Sequence, residues 1–204
     1  MTDRSVVIEL LKDATISMGF DDCGGDSQSD MYKTIDSMNN ILLKDPLTNA
    51  YNRRYINEVL PVNLIMSNIC SKNFWIIITD IDLFKNVNDT YGHLAGDAVL
   101  KEFTKILKRC IEDSSDWIAR YGGEEFLISI HNSTEEKVRD LAELMRRSIE
   151  DNIFSYNNID IKITSSFGIA SIWDIKNMNI LSLIDCADKK LYQAKHNGRN
   201  RVEF

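Results

Sequence analysis

Two short stretches carry residues that could do chemistry. One is Asp80-Ile81-Asp82, which closes the apolar run FWIIITDI at 74–81. The other is Gly122-Gly123-Glu124-Glu125, within RYGGEEFLISI at 120–130. A carboxylate at the end of a buried strand and one at a hairpin turn could meet across adjacent strands. Two such oxygens with a main-chain carbonyl suit Mg²⁺, which keeps few protein ligands and takes the rest from phosphates and water. Glycines at 122 and 123 would let a nucleoside triphosphate approach the turn with no Cβ in the way. A plainer reading stands beside this one. Gly-Gly is a good two-residue hairpin turn, because both central positions favour positive φ, and the glutamates would then be solvated charges. DIDLFKNVND fails as a calcium loop, since Phe84 and Lys85 stand where an EF-hand needs an oxygen ligand and then glycine.

The elements that must place these groups show in the hydrophobic pattern. FWIIITDI is nearly continuous, as a strand buried on both faces is. Residues 117–121 and 124–130 read as a hairpin about the glycines, and 159–172 as one more strand. Helical patterns cover 48–70, 94–112, 135–150 and 180–195. Asp45-Pro46 breaks the chain ahead of them, because the residue before proline is pushed out of the α region. Strands interleaved with helices, plus one antiparallel hairpin, give an α+β fold: a mixed central sheet flanked by helices. Phe74, Trp75, Trp117 and Phe126 read as core. Upstream, residues 3–19 read as a short amphipathic helix and 24–30 as a flexible break. In 31–42, Met31, Ile35, Met38 and Leu42 form a heptad seam of under two repeats. That seam packs on its own domain or dimerises. The expected division is an N-terminal helical or linker segment, 1–42, and a folded domain, 43–204.

Composition narrows the function. A net charge of −7 over 204 residues is a poor basis for binding nucleic acid or an anionic membrane, which need a basic face. Phosphate chemistry would need local cations or a metal. No apolar run approaches a membrane span, and MTDRSVVIELLKDA is too charged for a signal peptide, so a cytoplasmic protein is expected. Cys23, Cys70, Cys110 and Cys186 are widely spaced and read as reduced thiols; the three histidines do not fall at zinc-ligand spacing beside them.

With these residues in view, RYGGEEF resembles the signature of the GGDEF family, the diguanylate cyclases, in its GGEEF variant. DPLTNAYNRR at 45–54, ITDIDLFKNVNDTYGHLAGDAVL at 78–100, ITSSFGIA at 163–170 and ADKKLYQAKHNGRNRV at 187–202 resemble further family motifs in the right order. The resemblance implies a palm-like sheet of the nucleotidyl-cyclase type. It implies condensation of two GTP into cyclic di-GMP with release of pyrophosphate, using Mg²⁺ or Mn²⁺. It makes Asp80 a metal ligand by its side chain and Ile81 by its carbonyl. Glu124 completes the metal site, and Glu125 is a second ligand or a base. Asn88 and Asp97 would read guanine: a carboxylate accepts from two adjacent N–H donors, and an amide offers one donor and one acceptor. Lys85, Lys195 and Arg199 would meet phosphates, as would the backbone N–H groups of Leu83 and Phe84. Without the resemblance, Lys195 and Arg199 are a basic helix end that favours the macrodipole. His93 reads as structural rather than catalytic. Each copy would hold half a reaction, so a homodimer is implied, and the heptad seam would raise the local concentration of the second half-site.

The chain departs from the family pattern in two places. Asn49 and Ala50 replace a usual glycine and leucine; asparagine tolerates the left-handed conformation. The family's inhibitory product site uses RxxD ahead of the signature. Those positions read Asp113-Ser114-Ser115-Asp116, so the acid is kept, the arginine is missing, and the inhibitory site is expected to be absent. Rival readings are a degenerate GGDEF module that only binds nucleotide, a cyclase making a mixed purine dinucleotide, and an interaction module whose nucleotide site regulates dimerisation. Intact Asp80, Glu124 and Glu125 argue against the first, and Asp97, poor for adenine, against the second.

Overall fold

Strand β1 (Phe74–Ile81) is buried along its whole length, and that is why its sequence runs apolar without a break. The computed structural model describes residues 42–204. Within them, Lys44–Phe204 forms one compact unit. After β1 come β2 (Trp117–Gly122), β3 (Glu125–His131), β4 (Phe154–Tyr156), β5 (Ile159–Ile161), β6 (Ser165–Ser171) and β7 (Val202–Glu203). The main sheet runs β2-β3-β1-β6-β7. β1 lies antiparallel between β3 and β6, and β7 adds parallel to β6, so the sheet is mixed as expected.

The helices are α1 (Arg53–Ile69), α2 (Phe84–Tyr91), α3 (His93–Cys110), α4 (Glu135–Asp151) and α5 (Ile180–His196). α5 packs on β6 and β1. It comes so close that a Cβ on Gly168 would overlap the carbonyl oxygen of Ala187 and the amide nitrogen of Leu191, so glycine there sets the height of the helix. α3 packs on α2 and α4. Phe74, Trp75, Trp117 and Phe126 are all buried, as expected of core aromatics. The Phe103 and Phe126 rings meet at 5.2 Å.

Several boundaries differ from the sequence reading. The helix expected from residue 48 begins at Arg53, because Asn49 takes φ 55 and Asn52 caps the helix by accepting from the Tyr55 amide. The pattern at 159–172 splits into β5, which pairs with β4 in a separate two-stranded ribbon, and β6 in the main sheet. α2 was not expected at all. It starts after Leu83, whose φ of 56 turns the chain sharply out of β1.

The expected seam residues Met31, Ile35 and Met38, the helix at 3–19 and Cys23 lie outside the described residues. Leu42 is exposed. Cys70, Cys110 and Cys186 are free thiols. Among the described residues no helix is long and apolar enough to cross a membrane.

Candidate active site

Asp80 stands at the end of β1, opposite Glu125 on β3 and Ser166 on β6. Its side chain is 10% exposed, and Lys195 of α5 reaches it, with Nζ 2.9 Å from Oδ2. Burial pushes the Asp80 carboxyl up to about 6; Lys195 opposes the shift, and repulsion from Glu124 and Glu125 adds to it. Burial also raises Glu125, with Lys195 and Arg53 opposing and Asp188 and Glu124 adding. Asp80, Glu124, Glu125 and Lys195 thus share one electrostatic neighbourhood.

The hairpin differs from the expected Gly-Gly turn by one residue. The register shifts between Arg120 and Gly122, so Gly122 ends β2 and pairs with Glu125. The tip is Gly123-Glu124, and only Gly123 has positive φ, at 52. A Cβ on either glycine would meet open space, so the approach to the turn is clear. Arg120 holds the tip from beneath: its Nε donates to the Gly123 carbonyl at 2.8 Å.

Beside the hairpin lies a cleft of about 460 Å³, lined by Phe84, Lys85, Asn88, His93, Asp97, Leu100, Arg120, Gly123 and Glu124. Asn88 on α2 and Asp97 on α3 therefore meet in one space with Glu124. His93 is exposed on the cleft wall rather than packed in the core. Lys85 is exposed and pairs with Asp89 one turn along α2. No side chain caps α2 at Leu83, so the first amides of that helix, Phe84 and Lys85, have no intrahelical acceptor. Arg199 sits in the turn after α5 with φ 62, its amide bonded to the Ala194 carbonyl.

Two residues at the site were missed as functional. Asp82 is 6% exposed, and its carboxylate accepts from Thr164 Oγ1 and Ser166 Oγ, both at 2.7 Å, and from the Asn200 amide at 3.0 Å. It ties the end of β1 to β6 and to the turn carrying Arg199. Arg120 is the other; the signal for both is a charge set among buried neighbours in a recognisable motif. The remnant of RxxD is committed locally. Asp113 accepts from the amide and hydroxyl of Ser115, each at 2.8 Å, and Asp116 accepts from the His131 amide at 2.8 Å.

The donor set at the end of β1 fits a hard divalent cation. Asp80 and Glu124 would supply carboxylate oxygens, and Ile81, buried and paired with Ser165 of β6, a carbonyl. Among the described residues no three histidine, cysteine or carboxylate side chains form a metal-holding group. Mg²⁺ needs only one or two carboxylates, with phosphate and water filling its other positions.

A mixed sheet with carboxylates at the end of its central strand and helices against it is the palm-like GGDEF fold. The chain belongs to the GGDEF family: residues 42–201 match the family described as "Diguanylate cyclase, GGDEF domain". Diguanylate cyclase A of Treponema denticola is 45% identical over 128 residues, covering 62% of this chain and 34% of that protein. Diguanylate cyclase DosC of Escherichia coli is 34% identical over 161 residues, covering 78% of this chain and 34% of that one. The chain spans about a third of the length of these curated relatives. Among solved structures, the GGDEF domain of DgcB from Caulobacter crescentus, in complex with c-di-GMP, superposes with a TM-score of 0.73 at 31% identity. The match covers 79% of this chain and 94% of that one. The active GGEEF domain of a Vibrio cholerae diguanylate cyclase gives a TM-score of 0.67 at 32% identity, covering 74% and 95%.

Proposed function

We propose that the chain is a metal-dependent diguanylate cyclase that condenses two GTP into cyclic di-GMP and releases two pyrophosphates. The observation that carries this is the pairing of Asp80 with Glu125 across β1 and β3, beside the cleft shared by Asn88, Asp97 and Glu124. The folded domain is residues 43–204.

Asn88 and Asp97 hold the guanine. Its N1–H and 2-amino group form adjacent donors for the carboxylate, and the amide bonds the neighbouring edge. Lys85, Lys195, Arg199 and the backbone N–H groups of Leu83 and Phe84 take the triphosphate oxygens. Asp80, Glu124 and the Ile81 carbonyl would hold Mg²⁺ or Mn²⁺, which when bound would supply charge neutralisation at the α-phosphate and the leaving pyrophosphate. Lys195, which pairs with Asp80 here, would turn to the phosphates were that carboxylate taken by a cation. The 3′-hydroxyl of the opposite GTP attacks the α-phosphorus. Its O–P bond forms as the bond to pyrophosphate breaks, and the hydroxyl proton leaves to a base, for which Glu125 is the nearest candidate. The same step in the facing copy closes the ring, so activity needs a homodimer.

Incubation with GTP and Mg²⁺, followed by identification of products, tests the assignment. Cyclic di-GMP and pyrophosphate are expected. Tight GTP binding without turnover would instead favour a nucleotide-binding module.

A further inference from the structure

Gly96 is the fourth residue of α3 and is buried. Glycine is a poor choice inside a helix, where alanine is more stable. Its φ lies outside the left-handed region, so backbone conformation does not demand it. The reason lies across the helix pair. A Cβ on Gly96 would overlap Oδ1 of Asn88 and stand 3.1 Å from Asn88 Cγ and 3.2 Å from Cζ of Phe84. The Asn88 amide oxygen therefore lies against the bare backbone of α3, one residue before Asp97. Phe84 is buried, at 6% exposure. An added methyl would displace the Asn88 side chain and press on the Phe84 ring.

We propose that Gly96 is a positioning residue for base selection: its missing side chain seats the Asn88 amide beside Asp97 in the cleft. The proposal rests on the reading that Asn88 and Asp97 face guanine. Its specific consequence concerns the purine 2-amino group: one of its hydrogens goes to Asp97, and the seated Asn88 oxygen would accept from the other. Losing a seated partner for that donor costs binding to guanine nucleotides and little to hypoxanthine nucleotides, which lack it.

The test uses the full chain, its Gly96→Ala variant, Asn88→Ala and the double variant. GDP and IDP serve as probes, since neither has a pyrophosphate to lose and binding is read without turnover. Gly96→Ala is expected to stay folded, the better helix propensity offsetting the pressure on Phe84. Its preference for GDP over IDP is expected to fall roughly tenfold, as in Asn88→Ala, with no further loss in the double variant. A folded Gly96→Ala that keeps the wild-type preference overturns the proposal while leaving the guanine reading intact if Asn88→Ala has lost it. A wild type that does not distinguish GDP from IDP overturns both. Should Gly96→Ala fail to fold, rescue by Asn88→Ala supports the seat, and failure of rescue overturns it.

Discussion

Arg120 and Asp45, 75 residues apart, join the turn that opens the domain to the hairpin that carries the signature. Nη1 of Arg120 lies 3.2 and 3.3 Å from the two oxygens of Asp45, and the same guanidinium holds the Gly123 carbonyl. Asp45 also accepts from the amide and hydroxyl of Thr48 at 2.9 and 2.7 Å. Both charged side chains are largely buried, at 18% and 17% exposure. Asp45→Ala is expected to cost about 1–3 kcal/mol, the range for stranding a buried polar partner. Turnover of GTP should fall further than stability does, because the hairpin tip loses its underside. Thermal unfolding and a rate assay on one preparation check both; a stable variant with normal turnover would refute the link.

The same carboxylate predicts a pH dependence. Burial raises the Asp45 pKa, but hydrogen bonds from Thr48 and the Arg120 charge outweigh it and hold the group below its usual 3.8. A depressed acid contributes stability above its unfolded value and loses it as pH falls through the folded value. The stability gap between wild type and Asp45→Asn should therefore be constant from neutral pH to about pH 5. It should close as the pH falls below 3.8. A gap that widens on acidification would contradict the pairing.

Asp80→Asn and Glu125→Gln are expected to abolish turnover with the fold intact. Burial and neighbouring acids already raise both carboxyls, so removing a charge relieves strain in place of opening a cavity. Melting temperatures should stay within a few degrees of wild type. Near-normal GTP turnover in either variant would overturn the metal-site assignment.

Under the proposed mechanism two half-sites meet for each condensation, so the rate per protomer should rise with protein concentration until dimers saturate. A dilution series from tens of micromolar to nanomolar reads this directly. Constant specific activity would count against assembly in that range, unless sedimentation showed the dimer intact throughout.

Product feedback should be weak. Asp113 stands where the family places an arginine, and it is occupied in its own turn with Ser115. It offers no donor and repels phosphate. Asp116 is spent on the His131 amide. Cyclic di-GMP at saturating GTP should not inhibit; inhibition that extra GTP cannot relieve would falsify this and require a site built from other residues.

The sequence disclosed what depended on local pattern. β1 matched its expected span of 74–81 because a strand buried on both faces has an unmistakable composition. α2 escaped notice because FKNVNDTY is short and mostly polar, and a helix of eight residues owes its existence to packing against α3 and not to propensity. The hairpin tip was misplaced by one because a register shift at Arg120/Gly122 leaves no mark on the residue types. Lys195 on Asp80 and Asn200 on Asp82 join residues more than a hundred positions apart, which no periodicity encodes. The resemblance supplied Lys195; nothing supplied the role of Asp82.

The triple acceptance by Asp82 has a consequence for how competence arises as the chain is made. Asp82, just past the end of β1, is made 118 residues before the Asn200 amide that bonds it. Until then Asp82 lacks that partner, and the turn bearing Arg199 lacks its bond to the end of β1. The carboxylates are thus in place early, while the cations flanking that turn arrive last. A partly synthesised chain presents an acidic strand end. Under the proposed function, affinity for a triphosphate would be gained only once the turn docks.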